Sequence, residues 1–192
     1  MNTTAENNIN NSYGISEKAK NKCRLSVVVS VYNEEKALRD FYRETNKVLE
    51  QIETLGWEHE LVFVNDGSKD QSLNILEELA KMDKNVKVVS FSRNFGHEAA
   101  MIAGIDYSTG DGIICMDADL QHPPECIPKI IEKFDAGYEV INMVRTKNQS
   151  AGLIKNITSS GFYWLINHIS DVHFEPNASD FFAISRHVAQ VL

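Results

Sequence analysis

Apolar positions along this chain follow two alternating spacings. Compact, β-branched-rich runs occur at 25–31, 61–64, 86–91, 112–116, 140–144 and 181–184. Runs of this length, bounded by polar turns, predict strands, and the first reads as a strand buried on both faces. Between them the apolar residues fall at helical spacing: Leu38, Phe41, Val48, Leu49 and Ile52 within 34–55, then Leu73, Leu76 and Leu79 within 71–82. Helices are also predicted over 98–107, 124–136 and 151–169. In the second of these Pro124 sits in the first turn, where a missing N–H costs nothing. Ser185 to Leu192 reads as the beginning of another helix with nothing to close it, so the chain is expected to be cut from something longer. Strand and helix alternate throughout, which argues for an α/β fold, a mostly parallel sheet flanked by helices on both faces.

Residues 1–22 break the pattern. They are rich in Asn, Ser and Thr, too polar to build a core, and are expected to form a mobile tail. The remainder, 23–192, is long enough for one domain with a substantial core. Its charge narrows the partners. The 192 residues carry a net charge of −8, which disfavours a general nucleic-acid binder, since that affinity rests on Lys and Arg at phosphates. The N-terminus has no charged region and apolar core of a signal peptide, and no run approaches the ~20 apolar residues that span a bilayer. Cys23, Cys115 and Cys126 form no C-x-x-C pair, and Cys115 falls in an apolar run as a small buried hydrophobe. A reducing cytoplasm is the simple reading.

Candidate chemistry gathers just past the strands. In open α/β sheets ligands bind in the crevice beyond the C-terminal strand ends. There the sequence places Tyr32-Asn33-Glu34, Asn65-Asp66-Gly67-Ser68, Ser92-Arg93-Asn94 and Asp117 to Gln121. Asp117 and Asp119, spaced i, i+2 at a strand end, share a face if the strand persists. Two adjacent carboxylates repel, so the pair makes sense with a cation. Mg²⁺ or Mn²⁺ prefers oxygen ligands and often shares them with substrate phosphates. Asp119 is the best candidate ligand, with Gln121 or a water completing its shell, and Asp117 is a candidate for either the metal or ribose hydroxyls. A solvated acidic turn is the plain alternative.

Neither G-x-G-x-x-G nor G-x-x-x-x-G-K-[ST] occurs, so phosphates would be handled by metal and side chains. Asp66 is a candidate to accept a base N–H, although Asn-Asp-Gly is also ordinary turn chemistry. Asn33 and Glu34 either cap the following helix or, for Glu34, face the ligand. Arg93 to His97 reads as a loop whose Gly96 allows close backbone approach, with His97 read as structural. Arg145, Lys147 and Lys155 are candidates to receive pyrophosphate charge, and equally ordinary surface cations. The cluster from Phe162 to Ile166 reads as core packing rather than a membrane face.

Four segments occur in order: Val29-Ser30-Val31-Tyr32-Asn33-Glu34-Glu35, Val64-Asn65-Asp66-Gly67-Ser68-Lys69-Asp70, Ser92-Arg93-Asn94-Phe95-Gly96, and Asp117-Ala118-Asp119-Leu120-Gln121-His122-Pro123-Pro124-Glu125. Together they resemble the family 2 inverting glycosyltransferases of the GT-A fold. Within that family the resemblance is to dolichyl-phosphate mannose synthase and the bacterial polyprenyl-phosphate (bactoprenol) glycosyltransferases. It covers nearly all of the chain from Leu25 onward.

The resemblance implies a nucleotide-diphosphate sugar donor, UDP- before GDP-linked, a divalent metal (Mg²⁺ or Mn²⁺) and a polyprenyl phosphate acceptor. By the same resemblance Tyr32, Glu34 and Asp66 hold the nucleoside, and Asp117, Asp119 and Gln121 hold metal and diphosphate. Arg145 matches the arginine ending the strand after the metal motif, Lys155 with Phe162 and Tyr163 the Lys…Phe-Tyr helix, and Asp180 the Asp of an Asp-Phe-Arg segment. Three departures stand out. Phe182 replaces the arginine after Asp-Phe, Asn148 replaces a second expected arginine, and Val31 replaces the usual proline. Relatives continue with a basic loop, amphipathic helices and often transmembrane helices. The expected setting is therefore the cytoplasmic face of a membrane, contacted through a C-terminal part beyond this chain. A homo-oligomer is compatible with this reading.

The acceptor decides what Asp180 does. A hydroxyl needs a general base beside its proton, and Asp180 is then the natural one. A phosphate monoester, with a second pKa of about 6, is already largely dianionic at pH 7 and needs positioning instead. Transfer to a sugar hydroxyl, and a non-catalytic nucleotide-sugar binding module, are the competing readings.

Overall fold

The computed structural model describes residues 22–119, 121–144 and 178–191. The expected tail therefore lies outside the described residues except for Lys22, as does the helix predicted over 151–169. The elements run β1 (Cys23–Val31), α1 (Leu38–Glu53), β2 (Trp57–Asn65), α2 (Ser72–Met82), β3 (Val86–Ser90), α3 (His97–Tyr107) and β4 (Gly112–Asp117). A 3₁₀ turn (Pro124–Cys126) then leads into α4 (Ile127–Asp135), followed by β5 (Val140–Val144), β6 (Ala178–Ser185) and a short α5 (Arg186–Ala189).

Six strands form one sheet in the order β3-β2-β1-β4-β6-β5. β1 pairs in parallel with β2 and β4, and β2 in parallel with β3. β6 inserts antiparallel between β4 and β5. The sheet is thus mixed and mostly parallel, as the alternation of elements requires. The antiparallel insertion is not encoded in the run 181–184.

The core follows from strand periodicity. Val27, Val29 and Val31 face α1, α2 and α4, where Phe41, Leu49, Leu76 and Ile131 are buried with them. Val28, one residue out of phase, joins Val62, Ile113, Cys115 and Ile184 on the other face, under Met101 and Ile105 of α3. Burial pushes the Cys115 thiol up to about 12, so it is an inert packing group.

Several boundaries differ from the sequence reading; β6, for example, begins at Ala178 rather than 181. Helix α1 begins at Leu38 rather than near 34, because Asn33 takes a left-handed φ of 57° and residues 33–35 bond to a neighbouring loop instead. β2 begins at Trp57 rather than 61, extending through the polar residues His59 and Glu60, both buried. Glu60 is acceptable there because it is fully engaged. It accepts from Ser26 Oγ (2.7 Å), Thr109 N (2.6 Å) and Thr109 Oγ1 (3.0 Å), and pairs with Lys87 Nζ at 2.7 Å.

Burial alone would raise the Glu60 pKa, but the bonds from Lys87, Ser26 and Thr109 outweigh it and hold the carboxyl below 4.5. A depressed folded pKa stabilises the protein above the unfolded value, and that contribution is lost as pH falls through the folded one. Glu60→Gln is therefore expected to be less stable at pH 7 by about 1–3 kcal/mol and to lose less stability on acidification. Thermal melts at pH 7 and in steps down to pH 3 measure both effects.

Candidate active site

The strand order reverses at β1: α1, which connects β1 to β2, packs on one face of the sheet, and α3, which leads into β4, packs on the other. Such a switch point opens a crevice at the C-terminal strand ends. Here it is a cleft of about 270 Å³, lined by Ser30 at the end of β1, Tyr32 and Glu34 after it, Asp66 after β2, Asn94 before α3, His97 at its start, Asp117 at the end of β4, and Ala118 and Asp119 after it. A larger cavity of about 530 Å³ lies at the opposite strand ends, but its Arg24–Glu58 and Lys87–Glu60 charges are already paired.

Two loops build the floor by bonding to each other. Asn33 N–H donates to Ser68 Oγ at 3.0 Å, and Lys69 N–H donates to Asn33 Oδ1 at 2.8 Å. Glu34 N–H donates to Ser72 Oγ (2.9 Å), and Glu35 N–H to Asp70 Oδ2 (3.1 Å). The Glu34 carbonyl accepts from Ala37 and Leu38, so its backbone opens α1 while its side chain lines the cleft. The capping reading is thereby corrected, since the N-cap of α1 is Ala37 with no side-chain cap bond, and the Glu34 side chain is left to the cleft.

Asp66 is 1% exposed, and its carboxylate organises the next loop. Oδ1 accepts from Phe95 N–H at 2.7 Å and Oδ2 from Gly96 N–H at 3.0 Å. Each carboxylate oxygen can accept more than one bond, so Asp66 retains capacity toward a ligand. The loop closes on Gly67 so tightly that a Cβ there would lie 2.3 Å from the Arg93 carbonyl carbon. Asp66→Asn replaces one acceptor by a donor facing a backbone N–H. It is expected to cost about 1–3 kcal/mol of stability, measurable by thermal melts.

After β4 the acidic motif turns back on itself. Gln121 N–H donates to Asp119 Oδ1 at 3.0 Å, which fixes the Asp119 carboxylate at the exposed rim. Asp117 lies deeper, with its Oδ1 3.6 Å from His97 Nδ1. Glu34 completes the acidic group. Burial raises its pKa, and the charges of Asp119, Asp117 and Asp70 raise it further. This mutual repulsion is what a bound cation would relieve. Among the described residues no three His, Cys, Asp or Glu side chains form a complete metal cage. One or two carboxylates completed by substrate phosphates suit Mg²⁺-like ions, and the donor set fits that arrangement.

The structure brings Tyr32, Glu34, Asp66, Asp117 and Asp119 into one cleft, five of the residues singled out from sequence. Gln121 is exposed beside it. Arg93 is not among the lining residues, and its guanidinium lies 4.8 Å from the Phe95 ring centre. Arg145, Lys147 and Lys155 lie outside the described residues, as do Asn148, Phe162 and Tyr163. Asp180 falls within β6. Phe182 packs against the Val28 cluster on the α3 side of the sheet. Asn94 lines the cleft as its strand-end position suggested, and Ser30 and His97 line it although sequence reasoning assigned them no role there. For His97 the available signal was its place directly after the loop glycine Gly96, at the start of a helix.

Comparison with known proteins matches this architecture. Residues 26–190 match the model of glycosyl transferase family 2. The chain belongs to that family. It is 43% identical over 167 residues to the bactoprenol glucosyl transferase of Shigella phage SfX, covering 87% of this chain and 54% of that protein. An uncharacterised glycosyltransferase of Bacillus subtilis is 44% identical over 165 residues, covering 86% of this chain and 50% of the relative. The chain thus spans about half the length of these relatives.

Among solved structures, a mannosyltransferase of Pyrobaculum calidifontis in complex with GDP-Man and Mn²⁺ superposes with a TM-score of 0.60 at 17% identity, covering 90% of this chain and 47% of that one. Glucosyl-3-phosphoglycerate synthase of Mycobacterium tuberculosis in complex with UDP gives 0.58 at 20% identity, covering 86% and 58%. At such identities the likeness concerns the fold, and it is the GT-A fold expected from the motifs. Among the described residues of this family 2 chain, no helix is long and apolar enough to cross a membrane.

Proposed function

We propose that this chain is the donor-binding catalytic domain of an inverting, metal-dependent glycosyltransferase. It would move a sugar from a nucleotide-diphosphate sugar, UDP-linked before GDP-linked, to a polyprenyl phosphate. The observation that carries the reading is the acidic cleft at the switch point, in a chain 43% identical to a bactoprenol glucosyl transferase. The whole protein would work at the cytoplasmic face of a membrane.

Each cleft residue has a part. Tyr32 presents an exposed ring for the base, and Asp66 accepts a base N–H while holding the 93–96 loop. Glu34 and Asp117 face the ribose and diphosphate. Asp119, with Asp117 and Gln121, would hold Mg²⁺ or Mn²⁺, which supplies Lewis-acid stabilisation of the departing diphosphate. Arg145, Lys147 and Lys155 are proposed to add cationic support for the same charge. Asp180 would shape the acceptor side, since an already dianionic phosphate acceptor needs placement more than deprotonation.

A non-catalytic nucleotide-sugar binder is the second reading, favoured by Phe182, which packs apolar where relatives carry a cation. The retained acidic group at Asp117 and Asp119 favours the enzyme. Calorimetric titration of the chain with UDP and with GDP, each with Mn²⁺ and with EDTA, tests the donor site. Binding of one nucleotide only with Mn²⁺ is the expected result. Absence of binding to the folded chain under all four conditions would refute the donor assignment for these residues. Slow Mn²⁺-dependent hydrolysis of the matching sugar nucleotide would separate the enzyme from the binder.

A further inference from the structure

One side chain in the acidic motif is neither at the cleft nor on the surface. His122 is 3% exposed between the exposed Gln121 and Pro123. Burying an imidazole costs free energy unless its nitrogens are engaged, so its partners indicate its use. The Asp117 N–H donates to His122 Nδ1 at 3.4 Å, closing the loop that carries Asp119 and Gln121. The ring also stacks on Phe181 of β6, with centroids 5.0 Å apart and planes at 26°.

The sheet explains why a bridge is needed at this point. β4 stays paired with β1 as far as Asp117, opposite Ser30. Its pairing with β6 runs only from Gly112↔Ser185 to Cys115↔Phe182. Continuing that register sets Met116 opposite Phe181 and Asp117 opposite Asp180, where no ladder pair joins the strands. The ladder between β4 and β6 therefore ends before it reaches the candidate carboxylates. The His122 ring links the two strands at this point, taking the Asp117 N–H on one side and resting on Phe181 on the other. An apolar side chain of similar size could fill the same volume, but it could not accept the N–H.

We propose that His122 is the positioning residue of the acidic loop. Anchored on Phe181, it fixes where Asp117, Asp119 and Gln121 stand relative to the β6 strand that carries Asp180. The part concerning donor and metal rests on the functional reading above. The geometric part does not. Residues that orient a metal's ligands cost roughly 10–100-fold in metal affinity when replaced.

The test separates packing from hydrogen bonding. His122→Phe keeps a buried ring against Phe181 but removes the acceptor. His122→Asn keeps an acceptor near the Nδ1 position but removes the ring. Two readouts are taken on the 192-residue chain, with thermal melts to confirm folding. The first is hydrogen exchange of the Asp117 amide without ligand, and the second is UDP affinity in Mn²⁺. His122→Phe is expected to speed Asp117 exchange about tenfold or more and to weaken Mn²⁺–UDP binding roughly 10–100-fold. His122→Asn, which keeps an acceptor and loses only the stacking on Phe181, should lose clearly less than His122→Phe in both readouts.

Unchanged exchange and affinity in His122→Phe would overturn the proposal. So would equal losses in the two variants, which would mark His122 as core packing only. If His122→Asn does not fold, Phe181→Leu replaces it, since that variant leaves the acceptor and removes its anchor. A smaller loss than in His122→Phe is then expected, and an equal loss overturns the claim. If the unaltered chain binds neither UDP nor GDP, the donor reading fails, and Asp117 exchange alone decides the positioning claim.

Discussion

Asp119→Ala is expected to remove Mn²⁺-dependent nucleotide binding while leaving the fold intact or slightly firmer. The Asp119 carboxylate is at the rim and held by one local bond, from Gln121 N–H. Losing that bond at an exposed position costs little. If Asp119 is the metal ligand proposed above, its loss should exceed the roughly 10–100-fold that removal of an outer partner costs, so affinity is expected to fall by about 100-fold or more. In the protein able to transfer sugar, turnover should fall with it.

The stability side has a definite sign. Glu34 has a folded pKa raised by burial first and by Asp119 next. A carboxyl with a raised folded pKa binds its proton more tightly in the fold. Stability therefore declines as pH rises from 4.5, the unperturbed value, through the raised one. Without Asp119 that decline should shrink, so the variant gains slightly at neutral pH relative to acid. Calorimetry with UDP and Mn²⁺, paired with melts at pH 4 and pH 7, reads both effects. Normal binding by the variant would remove Asp119 from the metal site.

Gly67→Ala should produce the other large effect, by a different route. Gly67 has a φ of 65°, in the left-handed region, where an L side chain costs roughly 1–2 kcal/mol. A Cβ there would also meet three backbone atoms of the next loop, 2.3 Å from Arg93 C, 2.6 Å from Asn94 N and 2.7 Å from Arg93 Cα. Backbone cannot swing aside as a flexible side chain can. The loop must then leave Asp66, whose two bonds to Phe95 and Gly96 hold it. The combined cost is about 3–5 kcal/mol, within the range reserved for broken buried networks and special backbone sites. For a domain of this size that corresponds to a fall in melting temperature of about 6–20 °C. Nucleotide binding should be lost as well, since Asn94 and His97 line the cleft through the same loop. Gly137→Ala is the internal control. It also has positive φ, at 88°, but a Cβ would meet nothing within 4 Å, so only the conformational cost should appear.

The family motifs were legible because their chemistry is local. Asp117 and Asp119 announce themselves by spacing, and Asn65-Asp66-Gly67-Ser68 by a turn directly after a β-branched run. Strand-end polar clusters must converge once the sheet is mostly parallel. The positions that escaped sequence reasoning were those where a polar residue is buried on long-range partners. His59 and Glu60 extend β2, yet the sequence starts the strand only at Leu61, because Lys87 and Thr109, which donate to the Glu60 carboxylate, lie far away in sequence. His97 looked structural because nothing local places Asp117 within 3.6 Å of it.

The sequence by itself determined the alternation of elements, the two-faced burial of β1 and the acidic character of the site. Each of these depends on residue type and periodicity within a few positions. The tertiary structure alone decided that β6 runs antiparallel between β4 and β5. It also decided that Asp66 spends its carboxylate on the 93–96 loop, and that His122 bridges β4 to β6 where their ladder ends. These facts depend on which distant backbone N–H groups lack a ladder partner, and that is set only when the strands have been placed beside one another.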